Sequence, residues 1–394
     1  MRLLQINSVY GYGSTGRIVK DIHKAALEKG IDSYVAYGRS QYNDKRLIKI
    51  GSKKDLFYHG LKTRFFDQHG LASKNATRRF IEQIRNLKPD IIHLHNIHGY
   101  YLNYPLFFDF LKSDEIKVYW TMHDCWAYTG HCSYYSFIEC NKWETHCERC
   151  PQLNKYPKSL GLDNSYQNFE HKKKSFTGHK NLKIITPSHW LAGELSNSFL
   201  KEYSVSTIHN GIDLEVFKPR RSLFKERYGI QNKNIILGVA SMWDERKGLH
   251  TFLELSKLLN EDEVIVLVGL KLKDYPNIIS INRTNNLDEL VDIYSSADAL
   301  LNPTLEDNFP TVNLEAMACG VPVITFDSGG SKESIPIDQG QVINSSSSLN
   351  NVLESIRVLI NKDTNKERLL SHVNDYFDKR LMIDNYVRLY GLSV

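Results

Sequence analysis

Three carboxylates stand close together in the stretch Asn302 to Phe326, NPTLEDNFPTVNLEAMACGVPVITF. Glu306 and Asp307 precede a proline-interrupted turn. Glu315 follows within Val312 to Cys319, whose spacing predicts a helix stopped by Gly320. Pro322 to Phe326 then reads as a buried strand. Carboxylates on a loop and on the adjoining helix can accept hydrogen bonds from several hydroxyls, so the pattern suits a polyol such as a sugar or ribose. Acids near a helix start can also serve only the helix dipole, and spacing alone leaves both readings open.

Other residues add to this chemistry. Gly11-Tyr12-Gly13-Ser14-Thr15-Gly16 lies between a strand, Arg2 to Ile6, and a helical segment, Gly16 to Lys29. Glycines let the backbone approach a diphosphate, and the free amides of a helix start attract it. The run is literally G-x-G-x-x-G, which makes an NADP-dependent oxidoreductase the rival reading. Against that rival, Asn7 to Tyr10 separate the strand from the first glycine. No acid closes the next strand, Ser33 to Tyr37, and Arg39 would suit only a phosphorylated cofactor. Arg246 and Lys247, just ahead of Gly248 and a helix, are natural counter-charges for a diphosphate leaving group and could replace a metal ion. The strands Asp90 to His95 and Lys117 to Asp124 both carry histidine at their ends, which delivers His95, His98, His123 and Asp124 to the rim where a parallel sheet places its site.

Asp307, seven intervening residues and Glu315, followed by Ala316-Met317-Ala318-Cys319-Gly320-Val321-Pro322-Val323, resemble the acid-x7-acid signature of retaining glycosyltransferases of the GT-B fold. The resemblance implies an α/β protein of two Rossmann-like, doubly wound parallel-sheet domains facing a central cleft. It also implies transfer of a sugar from a nucleoside diphosphate sugar to a hydroxyl of a glycan acceptor, with retention at the anomeric carbon. In that family the first acid contacts the donor sugar and the second binds the nucleotide ribose. This chain has Asp307 where the family usually has Glu, and Glu306 one place earlier, so both are candidates for the sugar contact. Thr121-Met122-His123-Asp124 resembles the family's strand-end histidine, which makes His123 the third catalytic candidate. Lys247-Gly248 is also a family feature, and Arg246 stands in for the family arginine whose position Met242 occupies. Gly13, Gly16, Arg246, Lys247, Asn308, Phe309 and Glu315 are therefore the expected donor and nucleotide contacts, and His95 and Asp124 the acceptor-side residues. No cofactor is expected for catalysis. A non-catalytic sugar-nucleotide or zinc-binding scaffold is the second rival.

Five of the six cysteines, Cys125, Cys132, Cys140, Cys147 and Cys150, fall within residues 125–150. Disulfides are disfavoured in the cytosol, and such clustering points to metal. Cys147-x2-Cys150 has zinc-knuckle spacing, and Cys132 and Cys140 would complete a closed structural site of four thiolates. His131 or His146 could replace a cysteine. Buried free thiols and a redox pair are the other readings.

The elements that hold these groups need a large core, and 394 residues at 41 % hydrophobic and 24 % charged supply one. The expected organisation is an acceptor-side domain, 1–216, with the cysteine-rich insert 125–150. A nucleotide-sugar domain, 217–375, follows, and then a helix within 376–394 that crosses back to the first domain, as the resemblance implies. No apolar run is long enough to span a bilayer, and MRLLQINSVYGYG is not a signal peptide, so a cytosolic protein is expected. A formal charge of +5 suits anionic small molecules or an anionic membrane surface, and no nucleic-acid motif is present. Lys53 to Lys88 mixes many cations with Phe57, Tyr58, Phe65 and Phe66. Such a segment can rest on anionic lipid, in keeping with a lipid-linked oligosaccharide acceptor and a place in surface polysaccharide synthesis. It can equally be a solvated helix face with its aromatics buried.

Overall fold

The computed structural model describes residues 1–39, 42, 44–362 and 365–391; residues 392–394 of the expected C-terminal segment lie outside these. The chain forms two compact units, 1–208 with 383–394, and 209–382.

The first unit runs β1 (Arg2–Asn7), α1 (Gly13–Glu28), β2 (Asp32–Tyr37), β3 (Leu47–Lys49), α2 (Lys53–Phe66), α3 (Lys74–Leu87), β4 (Ile91–Leu94), α4 (Tyr104–Lys112), β5 (Lys117–Thr121), α5 (Ser165–Phe176), β6 (Leu182–Thr186), α6 (His189–Asn197) and β7 (Val205–Thr207). Among the described residues its sheet has the order β3-β2-β1-β4-β5-β6-β7, with every pairing parallel. The order reverses between β1 and β4, which pair from Leu3 with Ile91 to Ile6 with Leu94. Such a reversal opens a crevice beyond the carboxyl ends of the two strands.

The glycine run corrects one expectation: α1 begins at Gly13, not Gly16, so Gly16 lies inside the helix. The Gly11 amide donates to the Gly16 carbonyl at 2.9 Å. A Cβ on Gly16 would stand 3.1 Å from Val9 Cγ2 and 3.3 Å from the Gly11 nitrogen. Gly16 therefore lets the first turn of α1 close against the preceding turn.

The second unit runs α7 (Phe224–Tyr228), β8 (Asn234–Val239), α8 (Leu249–Leu255), β9 (Glu263–Val268), β10 (Ile278–Ile281), α9 (Leu287–Ser296), β11 (Ala299–Asn302), α10 (Thr311–Ala318), β12 (Val323–Phe326), β13 (Gln341–Ile343), α11 (Leu349–Asn361) and α12 (Lys366–Phe377). Its parallel sheet has the order β10-β9-β8-β11-β12-β13 among the described residues and reverses between β8 and β11. Both faces are covered, as a parallel sheet requires. Val264, Val266 and Val268 of β9 join one apolar cluster, while Ile265 and Leu267 join the other.

The division at 208 falls earlier than the expected 216, and the hydrogen bonding explains why. The Ile212 amide donates to the Phe377 carbonyl at 2.8 Å, and the Lys379 amide to the Ile212 carbonyl at 2.9 Å. A Cβ on Gly211 would stand 2.4 Å from Lys379 Cα, so only glycine allows this approach. The turn Asn210 to Asp213 is thereby stitched to the end of its own unit. The expected single helix from Tyr376 is broken: α12 stops at Phe377, and α13 (Lys379–Leu389) follows. From Ile383 onwards the chain counts with the first unit. There Tyr119 Oη donates to the Leu389 carbonyl at 2.7 Å, and Tyr390 Oη lies 2.6 Å from His93 Nδ1.

Candidate functional site

In the second unit the candidate residues lie on the two loops that leave β8 and β11, at the point where strand order reverses. The loop after β8 carries Arg246 and Lys247 in a single 3-10 turn, Glu245–Lys247, capped by the Asp244 carboxylate, which accepts from the Lys247 amide at 3.0 Å. The loop after β11 carries Glu306 to Phe309. The Arg246 carbonyl accepts from the Leu305 amide at 2.8 Å, and Arg246 Nη1 donates to the Glu306 carbonyl at 3.0 Å. A Cβ on Gly248 would stand 2.2 Å from the Pro303 carbonyl oxygen, so the loops meet at a residue that must lack a side chain. Lys247 Nζ and the Asp307 carboxylate complete the junction as an ion pair, both partly exposed.

The neighbouring acids have different surroundings. Glu306 is fully buried, whereas Asp307 keeps part of its side chain at the surface. The Asp307 carbonyl is fixed from below by the Gly330 amide at 3.0 Å, and its Oδ1 accepts from the Phe309 amide at 3.2 Å. Of the two, Asp307 has the geometry to meet a ligand. Phe309 is buried and stacks on His209, with centroids 4.9 Å apart, and Asn308 is buried beside it. Glu315, on α10, accepts a hydrogen bond from Tyr294 Oη at 2.8 Å. Tyr294 comes from α9, and no sequence signal marked it. Cations on one loop and carboxylates on the next can serve an anionic leaving group and a polyol respectively.

In the first unit the ends of β4 and β5 bring the expected histidines together. His95 Nδ1 lies 3.1 Å from His123 Nε2, with the rings nearly parallel, and the His95 carbonyl accepts from Trp120 Nε1 at 3.1 Å. Behind them His93 contacts Thr121 Oγ1 at 2.8 Å. Burial pushes the His93 pKa down to about 3 and His95 well below its ordinary value. Burial, with the nearby His98, takes His123 down to about 4, although Asp124 opposes the shift. His123 is nevertheless not sealed off, since part of it reaches the surface. These rings are neutral near pH 7.

Asp124 turns the other way. Its Oδ2 is 2.8 Å from His98 Nε2, and its Oδ1 accepts from the Trp126 amide at 3.0 Å. Burial alone would raise its pKa, but His98 and these hydrogen bonds hold it below the ordinary carboxylate value. His98 Nδ1 also meets Tyr156 Oη at 3.1 Å, a partner that sequence spacing did not reveal. Gly13 and Gly16 sit in the first turns of α1, which follows β1 at the same switch point.

The cysteine segment is a loop with short 3-10 turns between β5 and α5. Cys132 and Cys150 are hydrogen-bonded sulfur to sulfur. No three of the sulfurs of Cys132, Cys140, Cys147 and Cys150 lie within 4.8 Å of one another, so the four do not form a preassembled tetrahedron. All are free thiols. Sequence reasoning also missed Lys172, a buried ammonium that donates to the carbonyls of Trp126 at 2.6 Å and Thr129 at 2.9 Å and so pins the start of this loop. Burial brings its pKa down to about 7.

Two doubly wound parallel sheets in one chain, with candidate residues at the switch point of each, define the GT-B class of glycosyltransferase. Residues 15–216 match the model of Glycosyltransferase Family 4, and residues 233–362 match that of Glycosyl transferases group 1. The chain belongs to Glycosyltransferase Family 4. It is 25 % identical over 360 residues, 87 % of each chain, to WcaC of Escherichia coli (strain K12), whose name assigns it to colanic acid biosynthesis as a glycosyl transferase. It is also 25 % identical over 215 residues to the N,N'-diacetylbacillosaminyl-diphospho-undecaprenol alpha-1,3-N-acetylgalactosaminyltransferase of Campylobacter jejuni, a match spanning 50 % of this chain and 56 % of that one. Among solved structures it resembles HepE of Anabaena in complex with UDP-glucose, with a TM-score of 0.65, 13 % identity and 100 % of both chains covered.

Proposed function

We propose that this protein is a retaining glycosyltransferase that moves a sugar from a nucleoside diphosphate sugar to a hydroxyl of a glycan acceptor in polysaccharide synthesis. The observation that carries the reading is the junction of the two switch-point loops in the second unit. It sets Arg246 and Lys247 beside Asp307, with Glu315 on the adjoining helix. Lys247 and Arg246 hold the diphosphate, whose charge grows as the glycosidic bond breaks. Glu315 accepts from the ribose hydroxyls and Asp307 from those of the sugar. The departing diphosphate takes the acceptor proton on the donor's own face, so no protein nucleophile is assigned. The chain's work is to position the substrates and stabilise charge. Neutral His123 supports the step at the donor sugar, and His95 and Asp124 serve the acceptor side.

UDP is the favoured nucleotide because the HepE complexes contain it. A glycan carried on a lipid diphosphate is the favoured acceptor because the Campylobacter relative's name contains one. A screen of radiolabelled sugar nucleotides, with NADPH alongside, tests the reading. Turnover or slow hydrolysis of a sugar nucleotide is expected, whereas hydride transfer, or binding without turnover, contradicts it.

The cysteine segment is assigned a structural zinc ion with no part in the chemistry. Zn–S bonds of about 2.3 Å separate neighbouring sulfurs by about 3.8 Å. Cys132 and Cys150 are already in contact, and Cys140 and Cys147, on irregular chain, would close in on the ion.

A further inference from the structure

The cysteine-rich segment begins just after Asp124 and, a few residues beyond Cys150, returns a tyrosine to that same strand end. Tyr156 Oη lies 3.1 Å from His98 Nδ1, and His98 Nε2 lies 2.8 Å from Asp124 Oδ2. Asp124 directly follows His123, so this chain of three groups ends at the rim that carries the sugar-side histidine. The turn that bears Tyr156 is held on both sides. The Lys155 amide donates to the Gln152 carbonyl at 2.8 Å, and the Ser159 amide to the Leu153 carbonyl at 2.9 Å. Gln152 Nε2 in turn donates to the Tyr134 carbonyl at 3.0 Å, inside the cysteine segment.

Proton directions along the chain are set from its inner end. Against the opposing effect of burial, His98 and the Trp126 amide keep Asp124 ionised, and an ionised carboxylate only accepts. His98 Nε2 therefore donates, which in the neutral ring leaves Nδ1 to accept the Tyr156 hydroxyl proton. The lone pairs of the Tyr156 oxygen are then left to accept from a ligand hydroxyl. Although this hydroxyl points inward, the Tyr156 side chain as a whole is 44 % exposed. Its ring stands at 82° to the Tyr100 ring, with centroids 6.4 Å apart, and both pack on the buried His69 ring, at 5.8 and 4.7 Å. Tyr100 has a φ of 74°, which a bulky residue adopts only where its surroundings impose it. Here the preceding Gly99 amide is pinned by His69 Nε2 at 3.0 Å. Two aromatic rings set nearly at right angles, beside an oriented hydroxyl oxygen, match a pyranose, which offers C–H groups to the rings and an O–H to the oxygen.

We propose that Tyr156 and Tyr100 form a recognition subsite for a pyranose unit of the glycan acceptor, with a hydroxyl of that unit donating to Tyr156 Oη and its C–H face lying against the two rings. His98 is a positioning residue that acts through Tyr156. The inference rests on the proposed sugar transfer for the identity of the ligand. It gives the cysteine segment a part in choosing the acceptor, because the chain that leaves this segment delivers Tyr156.

The test is saturation-transfer NMR of the full chain, in the presence of UDP, with a panel of methyl pyranosides of gluco, galacto, manno, fuco and N-acetylglucosamine configuration. At least one is expected to take up saturation, most strongly at its C–H face. Tyr156→Phe keeps the ring and removes the hydroxyl, so it should weaken that glycoside by about three- to ten-fold, the loss of one neutral hydrogen bond. Tyr156→Ala should weaken it further, with melting temperature and UDP affinity unchanged, since much of the side chain is exposed. His98→Gln should weaken it as Tyr156→Phe does and add nothing in the double variant, a coupling that a merely structural histidine would not show. Saturation of none of the panel, or equal affinity in Tyr156→Ala and the parent protein, overturns the inference. Calorimetry with UDP on the same samples reports on the proposed function separately. Parent protein that binds UDP but no pyranoside loses only the subsite, whereas pyranoside binding without UDP binding keeps the subsite and removes the proposed donor.

Discussion

Lys247 and Asp307 form an ion pair that ties the loop after β8 to the loop after β11 within the second unit. Each is the other's counter-charge, and under the proposed function a donor diphosphate would take over Lys247 and leave the Asp307 carboxylate to the sugar hydroxyls. Lys247→Ala should then weaken UDP binding by about ten- to a hundred-fold, the range for losing a charge-assisted hydrogen bond of about 1.5 to 3 kcal/mol. Asp307→Asn should lower turnover while leaving UDP affinity nearly unchanged. Calorimetry with UDP, paired with turnover, separates the two roles. Equal UDP affinity in Lys247→Ala and the parent protein would remove the lysine from the diphosphate site.

Glu315 should act through the nucleotide alone. Glu315→Gln is expected to raise the Kd for UDP, with a smaller effect from Tyr294→Phe, which removes only the hydroxyl that orients the carboxylate. If 2'-deoxy-UDP and UDP lose affinity equally in Glu315→Gln, the carboxylate does not read the ribose.

His123→Ala should reduce turnover far more than UDP affinity, because contacts to the sugar tighten as charge develops. The histidines also set a pH dependence of stability. His59 and His93 are pushed down to about 3 and His123 to about 4 from 6.5, so the unfolded chain binds protons that the folded one refuses. Stability from the neutral rings is complete above about pH 6.5 and is lost as pH falls towards 4. Urea midpoints should therefore drop steadily from pH 7 to pH 5. A flat profile over that interval would contradict the neutral, buried assignment.

The zinc assignment predicts about one metal ion per chain, following the four-ligand count, in protein purified without chelators. Cys147→Ser should lower both metal content and melting temperature. Metal-free protein with every thiol titratable after unfolding would leave buried free cysteines as the explanation.

Most of this architecture was legible because parallel strands buried on both faces read as unbroken apolar runs, as Val264 to Val268 and Ala299 to Leu301 do. The acids and basic residues at the second switch point stood out through the resemblance of their motifs, because spacing alone left them open as helix-dipole or solvated-turn residues. The edge strands Leu47–Lys49 and Gln341–Ile343 were missed, being three residues long and only partly buried. The outward turn of α2, whose Phe57 and Phe65 are exposed while His59 and Thr63 are buried, was not legible either, since a helical period of aromatics is the same whether it faces the core or the solvent. Nor was the choice between Glu306 and Asp307, which depends on how the chain turns between two adjacent acids. His93 meets Tyr390 across 297 positions of sequence, and no local signal announces such a partner.

Following an α-configured UDP-sugar by proton NMR, with a glycan acceptor in the presence of the full chain, tests the central claim most directly. The account predicts that the sugar nucleotide is consumed, that UDP appears, and that the newly formed glycosidic or hydrolytic product is α at first appearance. Asp307→Asn should slow all three together. A β product, or no consumption of any nucleoside diphosphate sugar by a folded protein that binds the nucleotide, would contradict it.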